Sequence, residues 1–324
     1  MELNNFAILG PGGNVGSAVT AELRKRHPGC QIVAVTRQTS TYTAPSDSNI
    51  IHKKVSYTSL ESLVEAFASQ DAVVNCLTGG ATQYDASKLI IDAAVAAGVK
   101  FFFANEFVAN MESEQSRRLP ESFAGAKYRN REYLQRLAEE GKIAWTALNG
   151  GPFFDMWLMK GPAGFDIANR RARIYGTGNN ILCWTPLPTM ALAVANMLRN
   201  PEAVKNRSIF ICPFPDLTQN MLLNTLENLL GQKFSVEKVD VAKINKHSRI
   251  ALERGQVMKA MRGLTVSNQF YEDDCGNDFR HRVENKLVGV DMANVEDAVR
   301  DALEQYGRDC KPVQGMFKVE PCEI

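Results

Sequence analysis

An apolar run, Phe6-Ala7-Ile8-Leu9, feeds directly into a turn with glycine at 10, 13 and 16, and an Ala/Val/Leu-rich stretch from Ser17 to Arg26 follows it. Strand, glycine turn and helix in that order predict a dinucleotide-binding βα unit. Gly10 would allow the tight turn, Gly13 the approach of the backbone to a pyrophosphate, and Gly16 the close packing of helix on sheet. The spacing is G-x-x-G-x-x-G and not the commoner G-x-G-x-x-G, because Val15 stands three residues after Gly12. The cofactor contacts expected from this turn are Gly10, Gly12, Gly13, Asn14, Val15 and Gly16.

A second strand is predicted at Gln31-Ile-Val-Ala-Val-Thr36, and its end is where such folds read the adenosine ribose. A carboxylate there would accept hydrogen bonds from the ribose hydroxyls and favour NAD. This chain has Thr36 and Arg37 instead. A guanidinium suits a 2′-phosphate through paired hydrogen bonds, so the expected cofactor is NADP(H), with Thr36 and Arg37 in contact with it and Lys53 and Lys54 adding positive charge nearby.

Composition narrows the function classes. Lys+Arg total 37 and Asp+Glu 36, a near-cancellation that argues against nucleic acid as a partner. No apolar run reaches membrane-spanning length, and the first residues enter a strand too early for a signal peptide, so a cytoplasmic protein is expected. The seven cysteines, at 30, 76, 183, 212, 275, 310 and 322, contain no C-x-x-C pair and read as reduced thiols. The four histidines have no ligand spacing, and no metal site is expected.

Strand and helix continue to alternate, as in a parallel sheet covered on both faces. Helices are predicted at 59–69, 84–97 and 126–140, and strands at 72–77, 100–104 and 143–148. Gly98 suits a helix C-cap, and Thr78 and Gly79 open a glycine-rich turn at a strand's carboxyl end, where ligands of such sheets bind. Beyond Phe154 the pattern loosens, with a helix near 190–199, a strand at 208–212 that returns to the sheet, and helices at 220–230, 241–260 and 295–306. The expected fold is α/β: a Rossmann doubly wound parallel sheet over residues 1–155, which binds NADP, and a smaller, mostly helical substrate domain over 156–324.

In chain order, the Gly10 to Gly16 turn, Thr36-Arg37, the segment Gly98-Val-Lys-Phe-Phe-Phe-Ala-Asn-Glu-Phe107, Lys127 and Gly151-Pro-Phe-Phe154 resemble the NmrA-like and isoflavone-reductase-like group of atypical short-chain dehydrogenases, over nearly the whole chain. The resemblance implies that the turn binds NADP, that Arg37 meets the 2′-phosphate, and that Lys127 sits near the nicotinamide and acts in catalysis. It places Asn105, Lys127, Gly151, Pro152 and Phe153 on the cofactor side. It also implies substrates that are often aromatic or phenolic natural products. Two segments depart from the family pattern: Pro-Ser-Glu-Phe-Gly reads Ala104-Asn-Glu-Phe-Val108, and an acidic residue usual near a later helix start is replaced by Pro188-Thr-Met190.

A lysine in a first helical turn is ordinarily a solvated charge. Small and apolar neighbours at 122–126 would desolvate Lys127 and lower its pKa toward working pH. Tyr128 points about 100° away round the helix and is not assigned to act with it. Tyr84-Asp-Ala-Ser-Lys88 spells the Tyr-x-x-x-Lys of classical short-chain dehydrogenases, but lies one βα unit too early and is read as a coincidence.

The expected activity is an NADPH-dependent reduction in which hydride goes to an electron-poor carbon of an aromatic or natural-product-like molecule and Lys127 assists proton transfer. Phe107, Phe153, Phe154 and Trp157 are the expected pocket walls for a flat substrate. Two other classes stay open: an NADP-binding redox-sensing regulator without turnover, and an isomerase or cyclase that retains NADP. A homodimer is compatible with the chain.

Overall fold

The computed structural model describes residues 1–324 apart from 47–48, 118, 121–124 and 272–275. Its first half runs β1 Asn5–Leu9, α1 Asn14–Arg26, β2 Gln31–Arg37, β3 Ile51–Val55, α2 Leu60–Phe67, β4 Ala72–Asn75, α3 Tyr84–Ala96, β5 Phe101–Ala104, a one-turn α4 Glu114–Arg117, α5 Ala126–Glu139 and β6 Ala144–Asn149. It continues as α6 Phe154–Lys160, β7 Phe165–Asp166, β8 Arg171–Tyr175, α7 Leu187–Arg199, α8 Pro201–Val204, β9 Arg207–Phe210, α9 Gln219–Leu230, β10 Ser235–Val239, α10 Val241–Glu253, α11 Val257–Phe270 and α12 Val295–Tyr306.

Seven strands form one parallel sheet in the order β3-β2-β1-β4-β5-β6-β9. Phe6 to Leu9, Ala72 to Asn75 and Phe101 to Ala104 are buried on both faces, which is why they read as unbroken apolar runs without alternation. α1 and α7 cover one face, and α2, α3 and α5 the other, each with its own apolar layer. The strand order reverses between β1 and β4, so a crevice opens where the glycine turn after β1 meets the turn after β4. The return strand expected near 208–212 is β9, paired with β6, and α7 reaches back to pack on α1.

The later half departs from expectation in two respects. It holds a second sheet, β10-β8-β7, that the sequence does not announce: β7 has two residues, and β10 exposes four of its five. The long helix expected over 241–260 is two helices, α10 and α11. Gly255 (φ +73°) ends the first in the left-handed region, where Gly255 N–H donates to the Leu252 carbonyl (2.9 Å) and Gln256 N–H to that of Ala251 (2.9 Å). The chain then turns back, and α11 lies against α10 with Gly263 facing Ser248, where a Cβ would collide with the hydroxyl.

Candidate functional site

The glycine turn is shaped as its spacing predicts. Gly10 has φ +72°, and a Cβ there would lie 2.9 Å from the Cys76 carbonyl oxygen at the end of β4; a Cβ on Gly16 would collide with the Gly10 carbonyl oxygen. Gly13 N–H donates to that same oxygen (3.0 Å) and then caps α1 with no side chain of its own. Intrahelical bonding begins at Ser17 (2.9 Å to Gly13 O), so the amides of Asn14, Val15 and Gly16 have no acceptor within the helix, and the first turn carries no acidic residue. A bare helix N-terminus beside the strand-order reversal fits a pyrophosphate.

The ribose end is arranged less simply. Arg37 is exposed at the end of β2 with no ion pair among the described residues. Thr36 is buried, and its hydroxyl is engaged with His52 Nε2 (2.8 Å), a partner on β3 that sequence reasoning missed. His52 meets the Tyr42 ring edge-on at 5.2 Å, and Tyr42 in turn stands over Gly12. Lys53 is turned away, its ammonium donating to the Glu65 (3.2 Å) and Ala66 (3.4 Å) carbonyls at the end of α2. Thr78 and Gly79 are exposed at the turn after β4.

Lys127 lies at the carboxyl edge of the sheet. Its Nζ donates to the Glu106 carbonyl (2.5 Å) and to Asn105 Oδ1 (3.4 Å), while the Asn105 amide donates to the Leu77 carbonyl. Burial of the ammonium pushes its pKa down from the usual lysine value to about 8, against the opposing pull of the Glu106 carboxylate. Of the neighbours expected to desolvate it, 122–124 lie outside the described residues; Ala126 is buried.

Beneath Lys127 is a buried polar network. Glu106, 1% exposed, accepts from Arg131 Nε (2.7 Å) and Nη2 (2.6 Å), from the Asn149 amide (2.6 Å) and from the Ser208 hydroxyl (3.1 Å). Arg131 also donates to Glu112 (2.9 Å), which pairs with Arg282 (2.7 Å). The chain from Lys127 to Arg282 thus joins the sheet edge to the later half. Arg131 stands four residues after Lys127 on α5, so the two share a helical face, a signal that was present in the sequence. Tyr84 and Lys88 are used elsewhere: Lys88 pairs with Asp92 (2.7 Å), and the Arg129 guanidinium lies 3.7 Å from the Tyr84 ring centroid.

An apolar cleft of about 210 Å³ opens beside this edge. Phe107, Phe153 and Trp157 line it, together with Gly151 and Pro152. Phe154 does not line it: its side chain is wholly buried against Phe214 (centroids 5.0 Å) in the core of the later half, because consecutive residues entering α6 point in different directions. Gly151 is required by its neighbour, since a Cβ would collide with the Cys183 carbonyl oxygen. Lys127 is not among the walls of this cleft. Its ammonium is bonded to the carbonyl of Glu106, the residue before Phe107, which places it behind the wall at the sheet end. The opposite wall is α11, through Leu264, Thr265, Asn268 and Gln269, none of which the sequence singled out.

Residues 10–161 match the model of a family described as NAD(P)H-binding. The chain is 29% identical to oxidoreductase aprR of Aspergillus flavus over 306 residues, 92% of this chain and 98% of that protein. It is 32% identical to oxidoreductase poxI of Penicillium oxalicum over 230 residues, 70% of each. Among solved structures it is similar to an NADPH-dependent quinone oxidoreductase of Escherichia coli complexed with NADPH (TM-score 0.67, 20% identity, 91% of this chain and 99% of that one). It is also similar to an isoflavone reductase (TM-score 0.62, 19% identity, 83% and 87%).

Proposed function

Because the chain belongs to the NmrA-like and isoflavone-reductase-like family of NAD(P)H-binding oxidoreductases, we propose that it is an NADPH-dependent reductase of an aromatic or natural-product-like small molecule, working in the secondary metabolism of the cytoplasm. The observation that carries this reading is Lys127: a lysine held by Asn105 and the Glu106 carbonyl, with its pKa lowered to about 8, at the sheet edge next to an apolar cleft. A lysine desolvated at the sheet edge suits proton transfer better than the mere sensing of NADP.

Gly10, Gly12, Gly13, Asn14, Val15 and Gly16 would hold the pyrophosphate, Arg37 the 2′-phosphate, and Thr78, Gly79, Asn105 and Gly151 to Phe153 would lie along the nicotinamide half. The bound cofactor supplies hydride at C4 of the nicotinamide. Lys127 in its ammonium form would donate a proton to the substrate oxygen as negative charge develops there, which requires the substrate to reach past the Phe107 wall to the sheet edge, and would recover a proton from solvent. The Glu106 carbonyl and Asn105 Oδ1 each accept one Nζ–H, which would fix the ammonium and leave its third N–H for the substrate, while Phe107, Phe153 and Trp157 would position a flat substrate and keep water out.

The test is NADPH oxidation at 340 nm against enones, quinones and aromatic ketones, after titration with NADPH and NADH. Preferential NADPH binding with turnover is expected. Tight binding with no turnover would move the reading to a regulator, and substrate consumption without NADPH oxidation to an isomerase or cyclase. Arg37→Ala should weaken NADPH about tenfold or more and NADH little, since it removes one charged contact of about 1.5–3 kcal/mol. Equal losses would sink the 2′-phosphate role.

A further inference from the structure

Two of the described cysteines, Cys183 and Cys212, take no part in the site above and stand together as free thiols. They share a small buried cluster with Phe210 and Phe279. The chain from Cys183 runs beside the segment that follows β9, where the Thr185 hydroxyl donates to the Ile211 carbonyl (3.5 Å). Both backbones are pinned: Cys212 N–H donates to Asn285 Oδ1 (3.0 Å), its carbonyl accepts from Asn285 Nδ2 (2.7 Å), and Cys183 N–H donates to the Asn277 carbonyl (3.4 Å). The thiols form a relay in which Cys183 S–H donates to Cys212 Sγ, and Cys212 S–H to the Phe214 carbonyl (3.0 Å).

The two sulfurs are not equivalent. Cys212 lines an open cavity of about 510 Å³, together with Phe214, Asp216, Arg280 and His281. Cys183 does not line it and is wholly buried. The hydrogen bond from Cys183 holds the Cys212 thiol below the usual cysteine range against the effect of burial, and the Arg280 guanidinium acts in the same direction. The same bond, and burial, push the Cys183 thiol up. Cys212 is therefore the sulfur that reaches the thiolate, the nucleophilic form, while Cys183 keeps its proton behind it. No group of three His, Cys, Asp or Glu side chains among the described residues is placed to hold a metal ion, so the pair is set up for redox chemistry and not for metal binding.

We propose that Cys212 and Cys183 are an oxidation site, at which a small hydroperoxide entering the Arg280 cavity is reduced and the two sulfurs are joined as a disulfide. The Cys212 thiolate attacks the O–O bond. One oxygen stays on sulfur as a sulfenic acid, and the other leaves as hydroxide or alkoxide and takes up the proton that Cys212 released. The Cys183 sulfur then attacks the sulfenic sulfur: the S–S bond forms, the S–O bond breaks, and the hydroxyl leaves as water with the Cys183 proton. The two thiols together give up two electrons, and one peroxide takes them. The new bond ties the segment after β9 to the back of the cleft, because the Cys183 carbonyl lies where a Gly151 Cβ would be, Thr185 N–H donates to the Pro152 carbonyl (3.1 Å), and Phe154 N–H donates to that of Thr185 (3.0 Å).

The experiment treats the fully reduced protein with stoichiometric hydrogen peroxide, blocks the remaining thiols with N-ethylmaleimide, and maps the peptides by mass spectrometry. The expected result is the loss of two of the seven thiols and of two hydrogen atoms, with one cross-linked peptide that joins Cys183 to Cys212 and is released by dithiothreitol. Cys183→Ser should stop the sequence at a sulfenic acid on Cys212, which dimedone captures, and Cys212→Ser should leave Cys183 reduced. The unaltered protein tests the pair directly, so a variant that fails to fold does not protect the proposal. A dimedone adduct on Cys212 of the unaltered protein with no cross-link, a cross-link from either sulfur to another cysteine, or recovery of both thiols under peroxide that oxidises the partly exposed Cys310 and Cys322 would overturn it. No turnover is read, so the reductase reading can fail with the disulfide standing, and the disulfide can fail with NADPH oxidation intact.

Discussion

At the scale of single residues, the decisive quantity is the protonation state of Lys127. A pKa of about 8 leaves it mostly protonated at neutral pH, yet a far better acid than an ordinary lysine. As proton donor it is active below about pH 8 and lost above it, so kcat/KM should be level toward neutrality and fall about tenfold per pH unit above that point. A rate that instead rises through pH 8 would assign the neutral amine as a base. Lys127→Ala should lower kcat roughly 100- to 10,000-fold with NADPH binding little changed, and unaltered turnover would end its catalytic assignment. Its position on a helix next to apolar residues was legible from the sequence. The bonds to Asn105 and the Glu106 carbonyl were not, because they join the turn after β5 to α5 across 22 and 21 residues.

At the scale of elements, the site depends on how α5 is fastened to the sheet. Glu106 after β5 and Arg131 on α5 form a two-pronged, nearly unexposed ion pair, with Asn149 from β6 and Ser208 from β9 on the same carboxylate. Removing one partner strands a buried charge, at a cost of about 3–5 kcal/mol. Arg131→Met should therefore lower the unfolding free energy by that amount, read as a lower urea midpoint at unchanged slope, and a loss under about 1 kcal/mol would mean that water satisfies the carboxylate. The glycine turn makes a second element-scale case. Gly16→Ala would push a methyl group into the Gly10 carbonyl, so it should weaken NADPH binding and destabilise the chain by about 1–3 kcal/mol; calorimetric binding and thermal unfolding would read both. This turn was legible because its determinants are seven consecutive residues. The Glu106 network was not, because its four side chains come from four elements.

At the scale of the whole molecule, the cleft exists because the later half brings α11 opposite the carboxyl edge of the sheet. The break at Gly255 makes this possible, since an unbroken helix over 241–260 would carry the chain past the site. Gly255→Ala puts a Cβ in the left-handed region and should cost about 1–2 kcal/mol, raising substrate KM while leaving the Kd for NADPH alone. An unchanged melting temperature together with an unchanged KM would remove Gly255 from this role. The parallel sheet, the glycine turn and the Arg37 strand end were determined by the sequence itself, because burial on both faces writes long apolar runs and tight turns write glycine at fixed spacing. The small sheet β10-β8-β7, the burial of Phe154 away from the cleft, the pairing of Thr36 with His52 and the arrival of Asn268 and Gln269 at the cleft were decided only by the tertiary structure. Each depends on contacts between segments far apart in the chain, and such contacts leave no periodic trace in either partner.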